Sequence, residues 1–245
     1  MAPMTSLLYI SMFGESDVYT PSDYTSLCPT GLEKDWILSW HGPLAARFGF
    51  NLITRDICRG ETLPEPDESA AVILGGTIHL ILEKRTWIFE LTKWLKAYRK
   101  LNKPLLGICG GHQLIAVAFF RWPLHQRQGG TCAGTYPVHL TESGKNHPLF
   151  QGMPDNPEFH FANTYHIFPG ASAGPRILAA REDSPALALD YGDNWFSTQF
   201  HPESRRETWE CFFSSDPDKD LGRYRTEHCG EKFLENYLTI VRNSL

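Results

Sequence analysis

One cysteine in this sequence sits in a setting suited to nucleophilic chemistry: the run Gly107-Ile108-Cys109-Gly110-Gly111-His112-Gln113. It continues the short apolar stretch Leu105 to Ile108 and leads into the apolar run Leu114 to Phe120, so Cys109 is predicted to occupy a strand-to-helix turn. Flanking glycines allow the strained backbone that lifts a side chain clear of a sheet. A helix N-terminus favours a thiolate over a thiol. The free amide of Gly110 would donate to an oxyanion forming on a bound carbonyl. Taken alone, the turn is equally compatible with a small buried thiol, which is how most free cysteines behave. A thiol nucleophile also needs a base and a group that orients the base. The segment Gln199-Phe200-His201-Pro202-Glu203 supplies both residue types. In an extended segment positions i and i+2 point the same way, so Glu203 would fix the tautomer of His201 while His201 faces the thiol. By itself His-x-Glu reads more readily as a surface ion pair, and its weight comes from combination with the cysteine turn. Gly75-Gly76 closes another apolar run, either as an ordinary turn or as a place where a backbone amide approaches a ligand closely.

Bringing such distant turns together requires a scaffold. Apolar runs alternate with helical patterns, the signature of βαβ units and a mostly parallel sheet. Strands are predicted at Leu7 to Ser11, Phe50 to Thr54, Ala70 to Leu74 and Leu105 to Ile108. Trp36, Ile37, Trp40, Leu44 and Phe48 have helical spacing, as do Trp87, Ile88, Leu91, Trp94, Leu95 and Tyr98. These tryptophans are expected in the core. Tyr136 to Leu140, Arg176 to Ala180, Ala186 to Asp190 and Trp195 to Phe200 read as later strands, with Ser184-Pro185 as a turn. Short helices are predicted over Thr208 to Phe213 and a longer one from about His228 to Arg242. The fold class is therefore α/β, an open, mostly parallel sheet with helices on both faces. In such sheets sites lie at the carboxyl ends of strands, where both glycine turns fall. The stretch Gly14 to Gly31 is long for a connection. It leaves the first strand at its carboxyl end, so it would border the site, with a surface insert as the alternative.

The residue arrangement resembles the class I glutamine amidotransferase family, the triad type with a Cys-His-Glu site, including GMP-synthase-type glutaminase domains and γ-glutamyl peptidases. The two motifs above carry the likeness, supported by Val72-Ile73-Leu74-Gly75-Gly76, Gly134-Thr135-Tyr136-Pro137-Val138 and Leu178-Ala179-Ala180. The resemblance implies that Cys109 attacks the γ-carboxamide, His201 shuttles protons and Glu203 orients it. It further implies that the amides of Gly76 and Gly110 form the oxyanion hole and that Gln113 helps hold the glutamyl group. Two segments depart from the family pattern. Gly75-Gly76 is followed by Thr77-Ile78-His79 rather than by proline, and the counterpart of the segment touching the substrate's amino-acid end is Asn163-Thr164-Tyr165-His166-Ile167.

Composition narrows the setting. The 245 residues carry 23 basic and 28 acidic side chains, a net charge of −5, which gives no footprint for nucleic-acid binding. No apolar run reaches the roughly 18–20 residues that span a bilayer, and Met1 to Tyr9 lacks the pattern of a secretory signal. Six cysteines without a CxxC pair suggest reduced thiols in a cytoplasmic protein. No cofactor or metal is expected: Cys109 and His112 make at most half a zinc site. The chain is expected to be a single amidotransferase domain over residues 1–245. The implied ligand is glutamine or a γ-glutamyl small molecule. Two routes stay open: ammonia delivered to a separate synthetase subunit, or a γ-glutamyl hydrolase acting without one. A non-catalytic regulatory module on the same fold is the reading from another class.

Overall fold

Strands as apolar as Leu7-Leu8-Tyr9-Ile10 and Ala71-Val72-Ile73-Leu74 need cover on both faces. The computed structural model, which describes residues 5–170, 174–216 and 220–245, provides it. The reading of Met1 to Tyr9 falls partly on residues 1–4, outside the described residues. In chain order the elements are β1 (Thr5–Ser11), α1 (Glu33–Arg47), β2 (Phe50–Asp56), β3 (Ala71–Leu74), α2 (Thr86–Arg99), β4 (Leu105–Ile108) and α3 (Gly110–Phe120). Then come β5 (Leu124–Gln126), β6 (Cys132–Pro137), β7 (His139–Leu140), α4 (Glu142–Lys145), β8 (Glu158–Asn163) and β9 (Tyr165–Ile167). The chain closes with β10 (Arg176–Arg181), β11 (Ser184–Asp190), β12 (Trp195–Thr198), α5 (Arg206–Phe212) and α6 (Gly230–Ser244).

The main sheet has eight strands in the order β2-β1-β3-β4-β12-β11-β10-β7. From β2 to β12 neighbours run parallel, and from β12 to β7 they run antiparallel. Alternating side chains serve opposite layers. Leu7 and Tyr9 pack with Trp36, Ile37 and Leu44 of α1 and with Phe233, Leu234 and Tyr237 of α6. Leu8 and Ile10 pack with Leu91 and Leu95 of α2 and with Leu114 and Ile115 of α3. The strand order reverses at β1 and β3, which opens a crevice at their carboxyl ends.

The structure differs from expectation in several places. Tyr136 to Leu140 is split, because Pro137 ends β6 and the chain leaves for another sheet at β7. Ser184-Pro185 begins β11 instead of forming a turn; a register irregularity between β10 and β11 there lets a proline sit in a strand. β8, which pairs with β6, was not predicted, although Phe159 and Phe161 alternate with His160 and Ala162. Trp36 and Trp87 are core, whereas Trp40 and Trp94 are half-buried at its edge. The segment Gly14 to Gly31 packs rather than projects: Tyr19 and Tyr24 meet Phe13 edge-on at 5.0 and 5.6 Å, and Tyr24 stacks on Trp36. Gly31 closes it at φ +61°, where a Cβ would lie 1.9 Å from the Pro21 carbonyl oxygen.

Candidate active site

Beyond Ile108 the chain must turn from β4 into α3 within one residue. Cys109 makes that turn at φ 48°, ψ −100°. Such a conformation costs on the order of 1–3 kcal/mol for a non-glycine residue and persists only where neighbours hold it. Cys109 N donates to Thr198 O at 2.7 Å, Gln113 N to Cys109 O at 2.9 Å, and Gly111 N to Gly75 O at 3.1 Å. These bonds tie the ends of β3, β4 and β12 to the first turn of α3. The thiol is thereby placed at the positive end of that helix.

The glycines are needed for close approach. A Cβ on Gly111 would lie 2.7 Å from Leu74 O, and one on Gly110 would lie 2.3 Å from Thr77 Cγ2 and 2.9 Å from Thr77 N. Gly110→Ala is therefore expected to destabilise the fold by about 1–3 kcal/mol, read as a lower denaturation midpoint with an unchanged slope. A midpoint equal to that of the parent protein would contradict this packing.

His201 arrives by a different route from the one expected. β12 ends at Thr198, and His201 N donates to His160 O at 2.9 Å, a single antiparallel bridge to β8. His201-Pro202-Glu203 is thus a turn, not a strand extension. Even so, His201 Nδ1 and Glu203 Oε1 are 2.7 Å apart, both buried. The other ring nitrogen, Nε2, is buried and makes no hydrogen bond within bonding geometry among the described residues. Burial opposes charge on His201, but Glu203 and the neighbouring Cys109 outweigh it and raise its pKa to about 10. A Cβ on Gly76 would sit 3.0 Å from His201 Cε1 and 3.6 Å from Cys109 Cβ, so Gly76 lies between the two side chains. Neither the Gly76 nor the Gly110 amide donates a backbone hydrogen bond among the described residues.

Several supports were not foreseen from sequence. Gln199 Nε2 donates to Cys109 Sγ at 3.5 Å, and Gln199 Oε1 accepts from Gln113 Nε2 at 3.1 Å. Gln113 also donates to Tyr165 O at 3.1 Å and does not line the cavity that holds Cys109. The segment Asn163 to Ile167 lies behind Gln113, and Ala162 is the β8 residue that reaches the cavity. The turn after His201 is held from outside: His41 Nε2 donates to Glu203 O at 2.8 Å and His228 Nε2 to Ser204 O at 3.0 Å. Burial lowers the pKa of both histidines, which keeps them neutral donors. Trp209 stands edge-on to His201 with ring centroids 4.8 Å apart. His112 turns away to Ser197 Oγ at 2.7 Å, and burial pushes its pKa down to about 3.

Cys109, Gly76, His201 and Glu203 line one cavity. Its walls are Phe13, Trp36, Ile78, Trp209 and Phe212, and Glu33 projects into it. The cavity volume is about 40 Å³, close to the room one water takes. A substrate of glutamine size must therefore displace part of this aromatic cover. Elsewhere, Glu15, Asp17 and His79 are close enough to hold a cation. However, His79 Nε2 already accepts from Glu15 N, and Arg85 pairs with both acids.

The family description "Glutamine amidotransferase class-I" matches residues 67–215, more than half of the chain. The imidazole glycerol phosphate synthase subunit HisH of Neisseria gonorrhoeae is 33% identical over 128 residues, 43% of this chain and 58% of that protein. The match thus spans little more than half the length of that relative. A glutamine amidotransferase of Thermotoga maritima superposes with a TM-score of 0.75 at 18% identity, covering 98% of both chains. A glutamine amido transferase of Methylobacillus flagellatus gives 0.70 at 13% identity, covering 100% of this chain and 96% of the other. At these identities the two structures speak to the fold. No helix among the described residues is long and apolar enough to cross a membrane.

Proposed function

Because the chain belongs to the class-I glutamine amidotransferase family, we propose that it cleaves the γ-amide of glutamine or of a γ-glutamyl compound through a thioester on Cys109. The observation that carries this is the strained Cys109 turn sharing one cavity with the His201–Glu203 pair. In this reading Cys109 Sγ attacks the γ-carbonyl carbon as a thiolate. The amides of Gly76 and Gly110, which have no other backbone acceptor among the described residues, receive the oxyanion. His201 Nε2 gives its proton to the departing nitrogen, the C–N bond breaks, and ammonia or an amine leaves. Water then loses a proton to His201 while its oxygen attacks the thioester carbon. The C–S bond breaks, glutamate leaves, and the thiolate–imidazolium pair is restored. Glu203 holds the imidazole tautomer. Gln113 acts as a positioning residue through Gln199, which supports the thiol.

The proposal treats residues 1–245 as one amidotransferase domain, supported by fold likeness over 98% of the chain. Six free cysteines favour a reducing, cytoplasmic setting. The covered cavity keeps two routes distinct. In the first, a synthetase subunit docks, opens the site and takes the ammonia. In the second, the γ-glutamyl substrate displaces the cover itself. The relative from Neisseria is itself named as a subunit of a synthase, which supports the first.

The deciding experiment incubates the purified chain with glutamine and with a panel of γ-glutamyl peptides, following released ammonia or amine beside Cys109→Ser. Peptide turnover without glutamine turnover selects the independent hydrolase. Silence on both, with Cys109 labelled by a glutamine-like electrophile, selects the partner-dependent glutaminase. Turnover indifferent to Cys109→Ser would overturn the proposal.

A further inference from the structure

Glu33 is a carboxyl in the reaction cavity that the proposed chemistry does not use. It is the first residue of α1 and only 4% exposed, its side chain turned inward beneath β1. Ser11 Oγ donates to Oε2 at 2.6 Å and Tyr9 OH donates to Oε1 at 3.1 Å, so the carboxyl is fixed from below. It lines the same cavity as Cys109 and His201. Burying a carboxylate is costly unless a cation compensates it. No lysine or arginine is among the described residues that line this cavity. Glu203 and Asp56 add repulsion that raises the Glu33 pKa further. The walls next to Glu33 include the rings of Phe13, Trp36 and Trp209, surfaces that attract cations. The cavity thus offers a fixed carboxyl group and aromatic faces, and among the described residues its one cationic side chain, His201, is already paired with Glu203.

We propose that the Glu33 carboxylate receives a primary ammonium group of the substrate and so selects which glutamyl compounds acylate Cys109. The inference rests on the γ-glutamyl reading above. Burial raises the Glu33 pKa to about 8, against the pull of the Ser11 and Tyr9 hydroxyls. In the unliganded cavity the group is therefore largely protonated at neutral pH. An arriving ammonium supplies the missing countercharge, and the carboxyl proton leaves to solvent. Two sources share this chemistry: the α-ammonium of the glutamyl unit, or a second amine carried by the leaving group.

The test compares alkylation of Cys109 by a chloroketone analogue of glutamine and by the same reagent lacking the α-amine, read by intact mass. A charge-assisted hydrogen bond predicts that the amine-bearing reagent reacts about 10- to 100-fold faster. Glu33→Gln should compress that ratio to within about threefold, and Glu33→Asp should restore part of it. Iodoacetamide, which carries no ammonium, should label all variants at similar rates, which controls for folding. A second arm compares amine release from γ-glutamyl-1,4-diaminobutane and γ-glutamyl-butylamine. A Glu33-dependent preference in the first arm assigns the α-ammonium, and one in the second arm assigns the leaving amine. Discrimination unchanged by Glu33→Gln in both arms overturns the proposal while leaving the thioester reading intact. Failure of the glutamine-shaped reagent to label Cys109, where iodoacetamide does, overturns the thioester reading instead.

Discussion

Serine at position 109 is expected to lower turnover by at least about 10³-fold, the loss typical of removing a nucleophile that works as one unit with its base. The hydroxyl is nearly isosteric, but it is a far weaker nucleophile at its free pKa. Release of amine from a γ-glutamyl substrate, or labelling by a glutamine-like electrophile, measures the effect. Residual activity within tenfold of the parent would show that Cys109 is not the nucleophile. Position 109 should also separate stability from function. Its backbone lies at φ 48°, a region glycine tolerates far better. Cys109→Gly is thus expected to be inactive yet no less stable than the parent by thermal unfolding, while Cys109→Ala gains nothing because it retains a Cβ. A clearly lower midpoint for the glycine variant would show that the turn stores no strain.

The second large effect concerns the base. Glu203→Gln keeps the shape of the His201 partner but removes its charge, and it should lower turnover by about 10²- to 10⁴-fold. The pH dependence should move with it. In the folded protein the His201 pKa is raised to about 10 from an ordinary value near 6.5. The stabilisation that the charged imidazole brings is therefore complete below about pH 6.5 and is lost as pH rises through about 10. Proton donation to the leaving nitrogen follows the same window, so activity should persist through neutrality and fall on the alkaline side. Without the Glu203 charge one of the two groups sustaining the imidazolium is gone, and the alkaline limb should shift to lower pH. A pH–rate profile of the variant with an unmoved alkaline limb would show that Glu203 does not govern the protonation of His201.

Much of the site was legible because its motifs are local. Glycines on either side of Cys109, after an apolar strand and before an apolar helix, can be read in order along the chain. So can His201-Pro202-Glu203, although the contact between its ends is made by a turn. The sheet was legible for the same reason, since fully apolar four-residue runs such as Ala71–Leu74 imply cover on both faces. β8 was missed despite its alternating Phe159 and Phe161, whose period of two spans only a few residues.

What remained hidden depends on distant partners. Glu33 reads in sequence as an ordinary acid at a helix start; only the placement of α1 against β1 turns it toward Ser11 and Tyr9 and into the reaction cavity. Likewise His41 and His228 show no motif, and their role comes from α1 and the approach to α6 converging on the carbonyls of Glu203 and Ser204. By itself, then, the sequence determined the parallel α/β scaffold and which residues have the chemistry of nucleophile, base and orienting acid. Those properties follow from local spacing and backbone freedom. Only the tertiary structure decided what surrounds them: which groups are buried together, which amides lack acceptors, and how tightly Trp209 and Phe212 cover the thiol. Desolvation and electrostatics act through space, between groups that the chain order keeps far apart.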